Sequence, residues 1–151
     1  MVLWQRLVAV ALGVALVSCN GAPKAELHLL DGRTVAVAAR PGHWVLLNYW
    51  AQWCEPCRAE IPELNALARA RVGDVAVYGV NFDGVNGQAL RAQIQQMHIE
   101  FPVLASDPGP ALGAAPPEVL PTTILIDPNG GTRVLVGPQT LQSLSVILKR
   151  R

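Results

Sequence analysis

The feature that most constrains this chain is the junction in residues 48–64, "NYWAQWCEPCRAEIPEL". A mostly apolar run, "HWVLLNYW" at residues 43–50, ends there, and a charged, amphipathic run begins. The first run suits a strand buried on both faces. In the second, Pro56 stands where a helix tolerates a proline, at its first turn. Cys57, Glu60, Ile61, Leu64 and Ala68 then fall at i, i+3, i+4, i+7 and i+11, so the spacing predicts a helix from Pro56 to about Ala70. A buried strand running straight into a helix demands an α/β fold. It also sets Cys54 and Cys57 at the helix mouth.

The same reading extends along the chain. "ELHLLDGRTVAVA" alternates around Asp31-Gly32 and predicts an N-terminal β-hairpin. "VAVYGVNFD" at residues 75–83 reads as a second buried strand, and residues 86–98 as an amphipathic helix carrying Leu90, Ile94 and Met97. "FPVLAS" reads as a short strand and "DPGPALGAAPPEVLP" as a proline-rich loop with room for one helical turn. "TTILID" and "TRVLVG" form a hairpin around "PNGG", and residues 140–149 a closing helix with Leu141, Leu144, Ile147 and Leu148 on one side. The expected architecture is α/β, a mixed central sheet with helices on both faces, an N-terminal β-hairpin and a central β-α insert. A length of 151 residues suits one domain.

Residues 1–18 stand apart. After one positive charge, "LVAVALGVALV" gives eleven apolar residues, a helix of roughly 16 Å at about 1.5 Å per residue. A bilayer core needs about 30 Å, so the segment reads as a signal-peptide core. It ends in "LVSC", which resembles a bacterial lipobox and makes Cys19 the expected lipidated residue; ordinary cleavage near Ser18 would leave Cys19 a free thiol. Residues 19–24 then form a tether, and residues 25–151 the folded domain. The expected location is the periplasm, lipid-anchored to a membrane. Charge excludes one class of partner: Lys+Arg 12 against Asp+Glu 11 gives +1, and the one cationic cluster, Lys149-Arg150-Arg151, suits a solvated helix end. No nucleic-acid footprint is present.

Three chemistries are open to Cys54 and Cys57. A zinc site needs four ligands, and His28, His43 and His98 are far apart in sequence with no HxxxH spacing. A structural disulfide stabilises more as its loop grows, about 3 kcal/mol for fifteen residues but only about 2 for four. A redox pair fits best. The N–H groups and dipole of a helix N-terminus favour a thiolate at Cys54. Cys57, one turn in, can resolve a mixed disulfide formed there. In an exported chain the surroundings are oxidising and a disulfide between the two can persist.

These residues resemble the active-site segment of the thioredoxin superfamily, in its TlpA/ResA-like branch. The resemblance covers about residues 25–151 and includes Trp53, the insert at residues 86–104 and "PTTILIDPNG" at residues 121–130. It implies a membrane-tethered thiol–disulfide oxidoreductase, usually a reductant, with no cofactor beyond the Cys54/Cys57 pair. Its partners would be disulfide-bearing envelope proteins and an upstream membrane thiol reductase. Cytochrome c maturation and the preparation of copper sites are both roles within the branch. The resemblance makes Leu120-Pro121 a cis bond facing the disulfide, with the Leu120 backbone offered to a partner. By its own residues Pro121 could equally be an ordinary trans loop proline. Trp53, Glu55 and Pro56 complete the substrate-facing set, with Trp53 shielding the disulfide and Glu55 opposing thiolate charge at Cys54. Trp44, Tyr49 and Trp50 read as core.

Glu60 is the one charge on the predicted helix's apolar face, with Arg58, Asn65 and Arg69 expected to point elsewhere. Burial should raise its pKa and suit it to take the Cys57 proton, and the branch carries a glutamate at the matching position. Two departures stand out: Asn48 replaces the buried aspartate of thioredoxin, so it cannot relay a proton, and "GAAPPEVLP" is unlike the shorter family loop. A copper- or metal-delivery module using the two cysteines and a histidine, and a non-catalytic lipoprotein scaffold, remain the rival readings. The lipobox is directly testable: Cys19→Ala should lose its lipid and leave the membrane fraction, whereas unchanged membrane association would contradict the anchor.

Overall fold

Strand β3 (Trp44–Trp50) organises the molecule. In the computed structural model, which describes residues 25–37 and 42–149, it is paired on both edges. β4 (Val75–Asn81) runs parallel to it, with Leu46 opposite Val77 and Asn48 opposite Gly79. β5 (Thr122–Ile126) runs antiparallel, with Leu46 opposite Leu125 and Asn48 opposite Thr123. β6 (Thr132–Val136) extends the other edge of β5, giving the order β4-β3-β5-β6. The sheet is mixed, as the sequence predicts.

Alternation along β3 then assigns the two faces. Trp44, Leu46 and Trp50 join Leu125 under helices α1 (Glu55–Ala70), α2 (Gly87–Gln96) and α4 (Leu141–Leu148), which contribute Ile61, Leu64, Leu67, Leu90, Leu144 and Leu148. Leu47, Tyr49, Val80 and Ile124 face the other way. There they meet Ala25 and Leu27 of β1 (Ala25–His28) and Val37 of β2 (Thr34–Val37), an antiparallel hairpin forming a separate two-stranded sheet. Leu112 of the one-turn α3 (Gly109–Leu112) packs beside them. Helices therefore stand on both faces, but the hairpin does most of the covering on the second.

Local chemistry explains the element ends. α1 begins one residue earlier than expected, at Glu55, because Cys54 itself is the N-cap. α4 begins at Leu141 because Thr140 and Ser143 form a reciprocal capping box. Gly79 lacks a side chain where one would press on the Trp50 indole, 3.0 Å away.

Two expectations are corrected. "FPVLAS" is not a strand: only Val103 and Leu104 make bridges, to Gly79 and Leu29. Asn65 does not point outward. It is 5% exposed, its Nδ2 donating to the His98 carbonyl and its Oδ1 accepting from the Glu100 N–H. The irregular backbone after α2 needs polar partners, and a helix wheel drawn for α1 alone cannot see that need. The signal segment 1–18, the tether 19–24 with Cys19, and Arg150 and Arg151 lie outside the described residues.

Leu46 is fully buried at the centre of the sheet. Leu46→Ala should lower unfolding free energy by about 2–5 kcal/mol, read by urea denaturation, while Val72→Ala on the surface should stay within about 0.5 kcal/mol. Equal effects at the two positions would contradict this placement of the core.

Candidate redox site

Because β3 and β4 are parallel, both end at the same edge of the sheet, where Phe82 N–H donates to the Trp50 carbonyl. Thr122 opposite Tyr49 brings the segment before β5 to that edge as well. The chain leaves β3 through residues 51–53 and enters α1. Cys54 and Cys57 are joined as a disulfide at this corner, S–S 2.05 Å and Cα–Cα 5.3 Å. The Cys57 N–H points at Cys54 Sγ, 3.2 Å away, so the cap sulfur already receives a donor from the first turn. Cys54 is 3% exposed and Cys57 0%. Both residues are buried, Cys54 marginally the less so, and it is far less open than a helix mouth alone suggests.

The expected rim residues lie on the segments that meet at this end of the sheet. Trp53 is 66% exposed, and its indole N–H donates to both carboxylate oxygens of Asp83, at 3.2 and 3.1 Å. Asp83, just past the end of β4, was not foreseen; only the parallel pairing brings it here. Glu55 and Pro56 are exposed on the first turn of α1. The Glu55 carboxylate stands in solvent 4.0 Å from Arg58 Nε, so water and that cation both weaken its push on Cys54. The Leu120-Pro121 peptide is cis. Pro121 is buried and its carbonyl accepts from Gly137 N–H, while among the described residues no hydrogen bond uses the Leu120 backbone.

One turn along α1 from Cys57, Glu60 is 1% exposed. Its Oε1 accepts from the Gln139 N–H at 2.9 Å, and its Oε2 from Asn48 Nδ2 at 2.9 Å. Burial pushes its pKa up, and those two donors pull part of the way back. Asn48, inward-facing by the alternation of β3, is fully buried and also donates to Thr123 Oγ1 at 3.0 Å. The resemblance places Asn48 where thioredoxin has a buried aspartate, but its partner Thr123 and the long-range contact with Gln139 carry no sequence signal. Among the described residues, no three His, Cys, Asp or Glu side chains gather as a metal site.

Comparison with known proteins agrees with this geometry. The AhpC/TSA family matches residues 20–134. The thiol-disulfide oxidoreductase ResA of Bacillus subtilis is 31% identical over 123 residues, 80% of this chain and 68% of that protein. A DsbF homologue from Corynebacterium diphtheriae superposes with a TM-score of 0.70 at 26% identity, covering 85% of this chain and 86% of that one. The exposed lipoprotein thioredoxin of Streptococcus pneumoniae gives 0.65 at 24% identity, covering 85% and 99%.

The buried carboxyl makes a stability prediction. A folded-state pKa raised above 4.5 means the native protein binds more protons than the unfolded chain between the two values. Stability from this group is therefore intact below about pH 4.5 and is lost as pH rises through the folded value. Glu60→Gln should gain in Tm relative to the parent as pH rises from 4.5 to neutral; a difference constant with pH would contradict the burial. With the disulfide, the acid and the fold in place, the chain belongs to the AhpC/TSA family and, within the thioredoxin superfamily, to the TlpA/ResA-like branch of thiol-disulfide oxidoreductases.

Proposed function

We propose that this enzyme reduces disulfides of partner proteins in the bacterial envelope. The observation that carries the reading is the pairing of a covered Cys54–Cys57 disulfide at the α1 N-terminus with a buried acid one turn further in. In the dithiol form the Cys54 thiolate attacks a partner disulfide. One partner sulfur leaves as a thiolate, and a Cys54–partner disulfide remains. Cys57 then gives its proton to Glu60, and its thiolate attacks Cys54. The Cys54–Cys57 bond forms, the second partner sulfur leaves, and two electrons have passed to the partner. Glu60 releases its proton as the partner thiolates take theirs up.

The surroundings support these roles. The helix N-terminus favours charge on Cys54. Trp53, Phe82 and Val119 expose apolar surface at the same edge of the sheet, and the unused Leu120 backbone beside Pro121 offers hydrogen bonds to an extended partner segment. An upstream membrane thiol reductase returns the disulfide to dithiol, and no cofactor beyond the cysteine pair takes part. Lipidation at Cys19 would hold the enzyme at the membrane; the likeness to an exposed lipoprotein thioredoxin favours this placement. No helix among the described residues is long and apolar enough to cross a membrane. Cytochrome c maturation, or a related thiol-reducing step at copper sites, is the function that suits such an enzyme.

Trapping tests the order of events. Cys57→Ser, expressed in the envelope, should accumulate mixed disulfides through Cys54 that dithiothreitol releases, and Cys54→Ser should not. Equal trapping by both variants would overturn the assignment of attacking and resolving thiols.

A further inference from the structure

Asn48 is occupied by more than packing. Both hydrogens of its amide are used, one on Glu60 Oε2 at 2.9 Å and one on Thr123 Oγ1 at 3.0 Å. Its own Oδ1 is buried and has no hydrogen-bond partner. An orphaned acceptor in the core is unfavourable, so the amide's orientation is not set by its carbonyl. It is set by the two groups that take its N–H bonds. Turning the amide over would point Oδ1 at the Glu60 carboxylate, acceptor against acceptor.

We propose that Asn48, anchored by Thr123, is a positioning residue for Glu60: it holds the carboxylate in its charged form and so sets the pH at which Glu60 takes the Cys57 proton. The inference rests on the proton transfer just proposed for Glu60. In that step the Cys57 S–H bond breaks, the proton goes to Glu60, and the sulfur keeps the electron pair that attacks Cys54. A hydrogen bond from a neutral amide favours the carboxylate over the acid. Without it, Glu60 would stay protonated to higher pH and could not serve as acceptor.

Few other groups bear on Glu60. On α1, Cys57 lies one turn before it, and Glu63 is drawn to the N-terminus of α4, where its Oε2 accepts from Leu141 N–H at 2.7 Å. From β3 and β5 come Asn48 and Thr123, both uncharged. From the segment before α4 comes the Gln139 N–H. Burial raises the Glu60 pKa, while Gln139 and Asn48 lower it; no charged side chain contributes. Among the described residues, Asn48 is thus the one side chain that donates a hydrogen bond to the Glu60 carboxylate.

The test follows the rate of disulfide exchange of the reduced protein with a small aromatic disulfide from pH 5 to 9. It compares the parent, Asn48→Ser, Asn48→Asp, Glu60→Gln and the Asn48→Ser/Glu60→Gln double variant. Asn48→Ser should move the midpoint of the pH profile upward. Asn48→Asp, which keeps the volume and so guards against a folding defect, should move it further, by about one unit or more, because two adjacent carboxyls cannot both ionise freely. In the Glu60→Gln background Asn48→Ser should shift nothing. If Glu60→Gln changes the profile but both Asn48 variants leave the midpoint in place, Asn48 has no such role and Glu60 keeps its own. An equal shift in the double variant would show that Asn48 acts through general structure, which also overturns the proposal. If Glu60→Gln itself leaves the profile unchanged, the proton step fails and the inference falls with it.

Discussion

The site depends on the double pairing of β3. A strand hydrogen-bonded on both edges and covered on both faces cannot shift register without turning its apolar side chains the wrong way. That fixes where it ends, and therefore where α1 begins. The N-terminus of α1 is thus presented at the same edge as the end of β4 and the start of β5. A helix N-terminus leaves N–H groups unpaired, and here Cys54 is the residue that receives one of them. The chemistry of the sulfur is in this sense a consequence of sheet topology.

The same register carries a polar layer into the core. Trp44, Leu46, Asn48 and Trp50 share one face of β3, so an amide sits within an otherwise apolar stripe. It is tolerable there because Glu60 of α1 and Thr123 of β5 arrive opposite it. Gln139 N–H completes the carboxylate from the segment before α4, and Glu63 of α1 accepts the Leu141 N–H in the first turn of α4. One helix thus holds the start of α4 through Glu63 and carries a buried carboxyl, Glu60, one turn after Cys57. Docking of α4 and the environment of the acid are not separable.

How much was legible followed the range of the forces involved. The strand–helix junction, the cysteine pair and the burial of Glu60 rest on local periodicity and could be read directly. The cis bond at Pro121 came from family resemblance, since no local force dictates it. Asn65 was misread because its partners are backbone groups beyond α2, about thirty residues away. Trp53 was expected to shield the disulfide; its hydrogen bonds to Asp83 depend on the parallel neighbour strand, which a one-dimensional pattern does not reveal. "FPVLAS" has strand-like residues but finds only single bridges beside β4 and β1.

The central claim is that Cys54–Cys57 is a working couple carried by a fold that does not need it as a staple. A redox titration against glutathione mixtures, followed by thiol alkylation and near-ultraviolet circular dichroism together, tests this most directly. A working couple should show one reversible two-electron transition, with tertiary signal and cooperative thermal unfolding retained in the fully reduced protein. Loss of the tertiary signal on reduction, or two thiols that each end as a glutathione mixed disulfide in place of the internal bond, would contradict it.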